Sequence, residues 1–141
     1  MSSSIDTVKA WIWTDGAKDN AHLLSDDFVT VDSEGNVTMD KQGFLGMQHL
    51  LHHALPDIRY VLSDIYDEGD GVVIDGHFEG TFENDLDLSA AGMGVIPANG
   101  KRIVWPSSTA KFVVAGDQIL REVAHGEDNG GVEAFLAPLK A

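Results

Sequence analysis

Alternation is cleanest between Val72 and Phe82, where Val72, Ile74, Gly76, Phe78, Gly80 and Phe82 share one side and Val73, Asp75, His77, Glu79 and Thr81 the other. A period of two marks a strand with one covered face. Arg59 to Tyr66, Arg102 to Val114 and Ile119 to His125 read as further strands, separated by turn residues at Gly69-Asp70-Gly71 and Gly116-Asp117. Earlier in the chain the period lengthens. Ile5, Val8, Trp11 and Ile12 recur at helical spacing behind a Ser4 cap, and this helix is expected to end at Asp15-Gly16. A shorter helix from near Asp19 packs Ala21, Leu23 and Leu24. Phe28 to Asp32 then forms a strand that turns at Ser33-Glu34-Gly35-Asn36, with Val37 to Met39 pairing back. Asp40 N-caps a helix whose stripe is Phe44, Met47, Leu51, Ala54 and Leu55, stopped by Pro56. A last short helix, Val132 to Leu136, is expected to stop at Pro138. Helices followed by a mainly antiparallel meander predict an α+β fold.

Lys111 is hard to bury unpaired, which turns Ile103, Trp105, Ser107, Thr109 and Lys111 outward and Val104, Pro106, Ser108, Ala110 and Phe112 inward. The last strand is ambiguous. Ile119, Arg121, Val123 and His125 share one face and Leu120, Glu122 and Ala124 the other, so either register buries a charge. Asn84 to Asn99 is a long connection carrying Leu86, Leu88, Met93, Val95 and Ile96, which suits a lid or a subunit contact.

The 141 residues, 43% apolar, suffice for one domain, residues 1–141, with a sizeable core. A net charge of -14 and a pI near 4.4 argue against nucleic acid or an anionic membrane as partner. Cysteine is absent, which removes disulfides, thiolate nucleophiles and thiolate metal sites. Met1 to Asp6 lacks the pattern of a secretory signal and no apolar run spans a bilayer, so a cytoplasmic protein is the expectation. Phosphate-loop and nucleophile-elbow signatures do not occur.

Pro56-Asp57, the hairpin Glu68-Gly69-Asp70, Gly80-Thr81, Pro97-Ala98-Asn99-Gly100-Lys101-Arg102 and a final strand ending near Gly130 occur in one order. That order resembles the SnoaL-like polyketide cyclases of the nuclear-transport-factor-2-like superfamily, relatives of the ketosteroid isomerases. The resemblance implies a cone, a curved antiparallel sheet wrapped around the N-terminal helices. It also implies cofactor-free acid-base chemistry on a small apolar or polyketide-like carbonyl compound, no metal, and a homodimer. By the same resemblance the family's acid-base pair falls on Ala110 and Ala124, neither of which can carry a proton. It turns Ala124, and with it Glu122, into the cavity.

Two carboxylates are then candidates for catalysis. Asp32, in Asp26-Asp27-Phe28-Val29-Thr30-Val31-Asp32, resembles the segment bearing the isomerases' catalytic aspartate. Its alternative role is to satisfy backbone amides in the turn that follows. Glu122 is a buried acid with a raised pKa, one half of an ion pair with Arg121, Arg102 or Lys101, or turned outward by the other register. Trp13, Phe78, Ser108 and Phe112 are the candidate ligand contacts. His49 and His53 can share a helical face, but no acidic or thiolate companion stands at ligand spacing, so a solvated face is the better account. Trp105 on the outer face is the candidate interface anchor.

Overall fold

The computed structural model describes residues 4–14, 20–32, 34–125 and 131–140. Helix α1 (Ser4–Trp11) buries Thr7, Val8 and Trp11. Its C-terminal carbonyls are satisfied by Asn20, whose side-chain amide donates to Ala10 O at 3.0 Å and to Trp11 O at 2.7 Å. The expected helix end at Asp15-Gly16 and the start near Asp19 lie outside the described residues. Ala21–Leu23 is a single 3-10 turn and not a helix.

Strand β1 (Leu24–Val31) begins four residues earlier than expected and turns back into β2 (Val37–Asp40). Asp40 caps α2 (Lys41–Ala54) by accepting from the Gly43 amide at 2.8 Å. Phe44, Leu51 and Ala54 are buried along the helix, and Leu55 is buried just past it. Strands β3 (Arg59–Glu68) and β4 (Gly71–Thr81) form a long hairpin. Next come the two-residue strands β5 (Leu86–Asp87) and β6 (Val95–Ile96), then β7 (Arg102–Val104), β8 (Ser108–Ala115), β9 (Gln118–His125) and α3 (Gly131–Lys140).

The main sheet runs β2-β1-β9-β8-β4-β3, with β7 added to the end of β4. Every pair is antiparallel except β1 with β9. It is the curved, unclosed sheet of a cone. Helix α1 crosses its concave face against β3, β4, β8 and β9, while α2 covers β1 and β2. One core cluster fills this interior: Val8, Trp11, Ile12, Leu24, Phe28, Phe44, Tyr60, Val72, Ile74, Phe112 and Ile119. A second closes the end of the cone, where Leu51, Leu55, Phe82 and Ile103 meet Leu86, Leu88 and Ile96 of the β5–β6 hairpin and Leu136 and Leu139 of α3.

Two breaks in strand register correct the expected faces, and a third falls in β3. β7 and β8 are two strands separated by residues 105–107, so the parity of the first is inverted: Ile103 and Trp105 are buried while Val104 is 56% exposed. Trp105 therefore packs inside, edge-on to Phe78, and is no surface anchor. In β9 the register slips between Val113 and Val114 of its partner. Leu120 is left over, and both Ile119 and Glu122 turn inward. In β3 the slip falls between Leu62 and Asp64, beside Gly76 of β4.

The 84–99 connection is likewise no free lid, since Leu86, Leu88 and Ile96 are core, while the large apolar side chains of Met93 and Val95 are exposed. Pro138 lies within α3 and does not end it. Burial of Leu139 one residue later holds that turn in place despite the missing amide.

Candidate active site

On the inner face of β9, Glu122 is paired with Phe112 of β8 and, across the parallel junction, with Thr30 of β1. Its neighbours in register are therefore a buried aromatic ring and a buried threonine whose hydroxyl is already shared with that of Thr38 at 2.6 Å. Among the described residues the Glu122 carboxyl has no hydrogen bond and no ion pair. Protein surrounds it, yet the residue keeps some accessible area. Loss of hydration disfavours the carboxylate and pushes its pKa up to about 7. The ion pair weighed for Glu122 is not formed.

The cations lie on the other side of the sheet. Arg59 and Arg102 both hold Glu79, at 2.9 and 2.6 Å, and Lys111 holds Asp70 at 3.0 Å. Guanidinium contact from Arg59 keeps the Glu79 carboxyl below its ordinary range. Thr109 bonds to Asp75 on this same outer face.

Asp32 follows the end of β1, two residues beyond Thr30, the register partner of Glu122. One carboxylate oxygen accepts from the amides of Glu34 and Asn36, both at 2.9 Å, and the other faces the Asn36 side chain at 3.4 Å. Gly35, at φ +87°, completes the turn. The Asn36 amide, with the other turn donors, holds the Asp32 pKa below its ordinary value, which makes it a weaker base.

Phe112 is buried beside Glu122, and Phe78 is half-buried where the two core clusters meet. Ser108 shares their face, paired with Gly76, but is exposed. Trp13 belongs to the other cluster, edge-on to His52, with its indole N–H buried and without an acceptor among the described residues. Ala110 and Ala124 stand directly opposite one another in the β8–β9 register. His49, His52 and His53 are exposed. Two open grooves of about 320 and 440 Å³ border the end of α3, lined by Lys101 to Val104 with Pro138 and by Val95 to Asn99 with Leu139 and Lys140. Neither includes Glu122.

Tyr60 has no motif of its own. It is buried on the inner face of β3, and its pKa is raised by desolvation, then by the charges of Glu122 and Asp75. The signal that points to it is Gly76, since a glycine inside a strand marks a close approach.

A family model described as SnoaL-like domain matches residues 9–122. The chain belongs to the SnoaL-like family. Solved structures give the same fold for this SnoaL-like domain. A candidate SnoaL-like polyketide cyclase from Jannaschia sp. CCS1 is 15% identical, with a TM-score of 0.69 over 98% of this chain and 92% of that one. IdmH, a candidate polyketide cyclase from Streptomyces antibioticus, is 19% identical, with a TM-score of 0.67 over 99% and 100% of the two chains. AclR, a candidate hydroxylase from Streptomyces galilaeus, is 16% identical, with a TM-score of 0.67 over 94% and 89%. No curated protein matches the chain by sequence. Among the described residues no helix is long and apolar enough to cross a membrane.

Proposed function

We propose that this SnoaL-like protein is a cofactor-free acid-base catalyst that moves a proton beside the carbonyl of a small, apolar, polyketide-like molecule, with Glu122 as the proton carrier. The observation behind the reading is a carboxyl beside the apolar core with no partner among the described residues and a pKa near 7. A carboxyl so tuned is populated in both forms at neutral pH, the condition for accepting a proton and returning it. Phe112 and Phe78 supply the apolar contacts and Ser108 a polar one at the rim. The working unit in this reading is a homodimer, the commonest closed assembly, and a monomer mass in sedimentation would remove that part.

The test is hydrogen-deuterium exchange at the α-carbon of 2-tetralone, followed by proton NMR. Exchange above the buffer rate is expected, rising with pH to a plateau above about 7, and lost in Glu122→Gln. A rate equal in both proteins would overturn it.

The pairing of Ala110 with Ala124 favours a second reading, a binding domain on the same scaffold, because neither alanine can carry a proton. Saturable binding of 2-tetralone without exchange would select it.

A further inference from the structure

We propose that α3 is a displaceable plug: a small neutral molecule with an apolar body and a hydrogen-bond acceptor binds at the end of the cone, in the space that Leu136 and Leu139 fill. The inference deepens the reading above and rests on it for the class of ligand. It needs no catalysis by Glu122.

A helix of ten residues is marginal by itself in water, so α3 depends on what its side chains bury. Among the described residues that burial is Leu136 and Leu139, both 1% exposed. They join the cluster that closes the cone, together with Leu51, Leu55, Phe82 and Ile103. Pro138 stands between the two leucines and carries no amide proton, so the last turn lacks the hydrogen bond that would reach the carbonyl four residues back. Both open grooves border this turn. Pro138 lines the one of about 320 Å³, and Leu139 with Lys140 the one of about 440 Å³. A turn short of one hydrogen bond and edged by open grooves is held by its leucines.

The same cluster contains a polar group that its packing leaves unmet. Trp13 is 6% exposed, and its indole N–H has no acceptor among the described residues. A buried donor in that state costs free energy that an acceptor restores, and a leucine side chain offers none. The Tyr60 amide, donating to Trp13 O at 2.8 Å, and the edge-on ring of His52 keep Trp13 in position. Indole nitrogen donates and cannot accept, so the occupant it favours carries a carbonyl, ether or hydroxyl oxygen. The rest of the cluster is apolar, which favours a neutral body. Ligand and leucines therefore compete for one space. Binding turns Leu136 and Leu139 out, and the ligand's own apolar surface takes their place.

The chain has no cysteine, so Val95→Cys with Lys140→Cys, two exposed positions lining the larger groove, makes one thiol pair across it. A bis-methanethiosulfonate linker ties α3 shut through disulfides that dithiothreitol reverses. N-phenyl-1-naphthylamine, a neutral probe that brightens in apolar surroundings, is expected to bind the tied form about tenfold more weakly than the same protein after reduction. Equal affinity, or no binding to the reduced form, overturns the proposal. In the native chain, hydrogen-deuterium exchange read by mass spectrometry is expected to speed up in α3 when the probe binds. Slower or unchanged exchange there counts against displacement, because a ligand that binds elsewhere does not free the helix. For the donor, 2-tetralone and tetralin, which lacks the oxygen, compete with the probe. Trp13→Phe is expected to weaken 2-tetralone about tenfold and tetralin less than twofold, and an equal loss for both refutes the role of the indole. Reversible gating of the probe without 2-tetralone exchange supports the plug and removes the catalyst. Exchange that is equal in the tied and reduced forms does the reverse.

Discussion

Replacing Glu122 by Gln should make the protein more stable at pH 8 and leave it nearly unchanged near pH 4.5. In the unfolded chain the carboxyl titrates at its ordinary 4.5, and in the folded chain at about 7. Below 4.5 both states are protonated, so ionisation adds nothing. Between 4.5 and 7 the folded state holds a proton that the unfolded state has lost, and stability falls by about 1.4 kcal/mol per pH unit. Above 7 both are ionised and the loss is constant, about 3 kcal/mol at most. Glutamine keeps the shape and carries no charge. For a chain of 141 residues the expected gap between variant and wild type is roughly 10 °C in Tm at pH 8, shrinking toward zero near pH 4.5. Urea or thermal unfolding at half-unit steps from pH 4.5 to 8.5 measures it. A gap that does not change with pH would refute the reasoning, because it would mean that Glu122 is hydrated when folded.

Asp32→Ala is expected to leave 2-tetralone exchange within twofold of wild type. It should lower Tm more at pH 7 than at pH 3, since a carboxyl with a lowered folded pKa stabilises above its ordinary value and loses that effect in acid. Gly76→Ala should cost about 2 kcal/mol or more in urea unfolding, because the added methyl group meets both the Val61 carbonyl and the Tyr60 ring. Ala110→Asp places a second carboxyl diagonally across from Glu122. By like-charge repulsion this moves the midpoint of the exchange pH profile above about 7, whereas an unmoved midpoint would place the new group in solvent.

Pattern alone was enough for the helix stripe Phe44, Leu51, Ala54, for the Asp40 cap and for the β4 alternation, because each depends on neighbours a few residues away. Ile103, Trp105 and Ile119 were placed on the wrong face for a single reason. Period-two reasoning carries a face forward until something resets it, and the break at 105–107 and the extra residue at Leu120 are resets that appear only when a partner strand supplies the register. Asp32 shows local chemistry that was legible: the turn residues after it predict the backbone amides from which its carboxylate accepts.

The sequence by itself determined the α+β class, the family and the acidic, cysteine-free character, since these follow from composition, periodicity and ordered short motifs. Only the tertiary structure decided that Glu122 is desolvated without a partner among the described residues, that Arg59 and Arg102 are held by Glu79 on the outer face, and that the Tyr60 ring lies against Gly76. The physical reason is that desolvation and cross-strand reach depend on what surrounds an atom in space, and those surroundings are contributed by strands far apart along the chain.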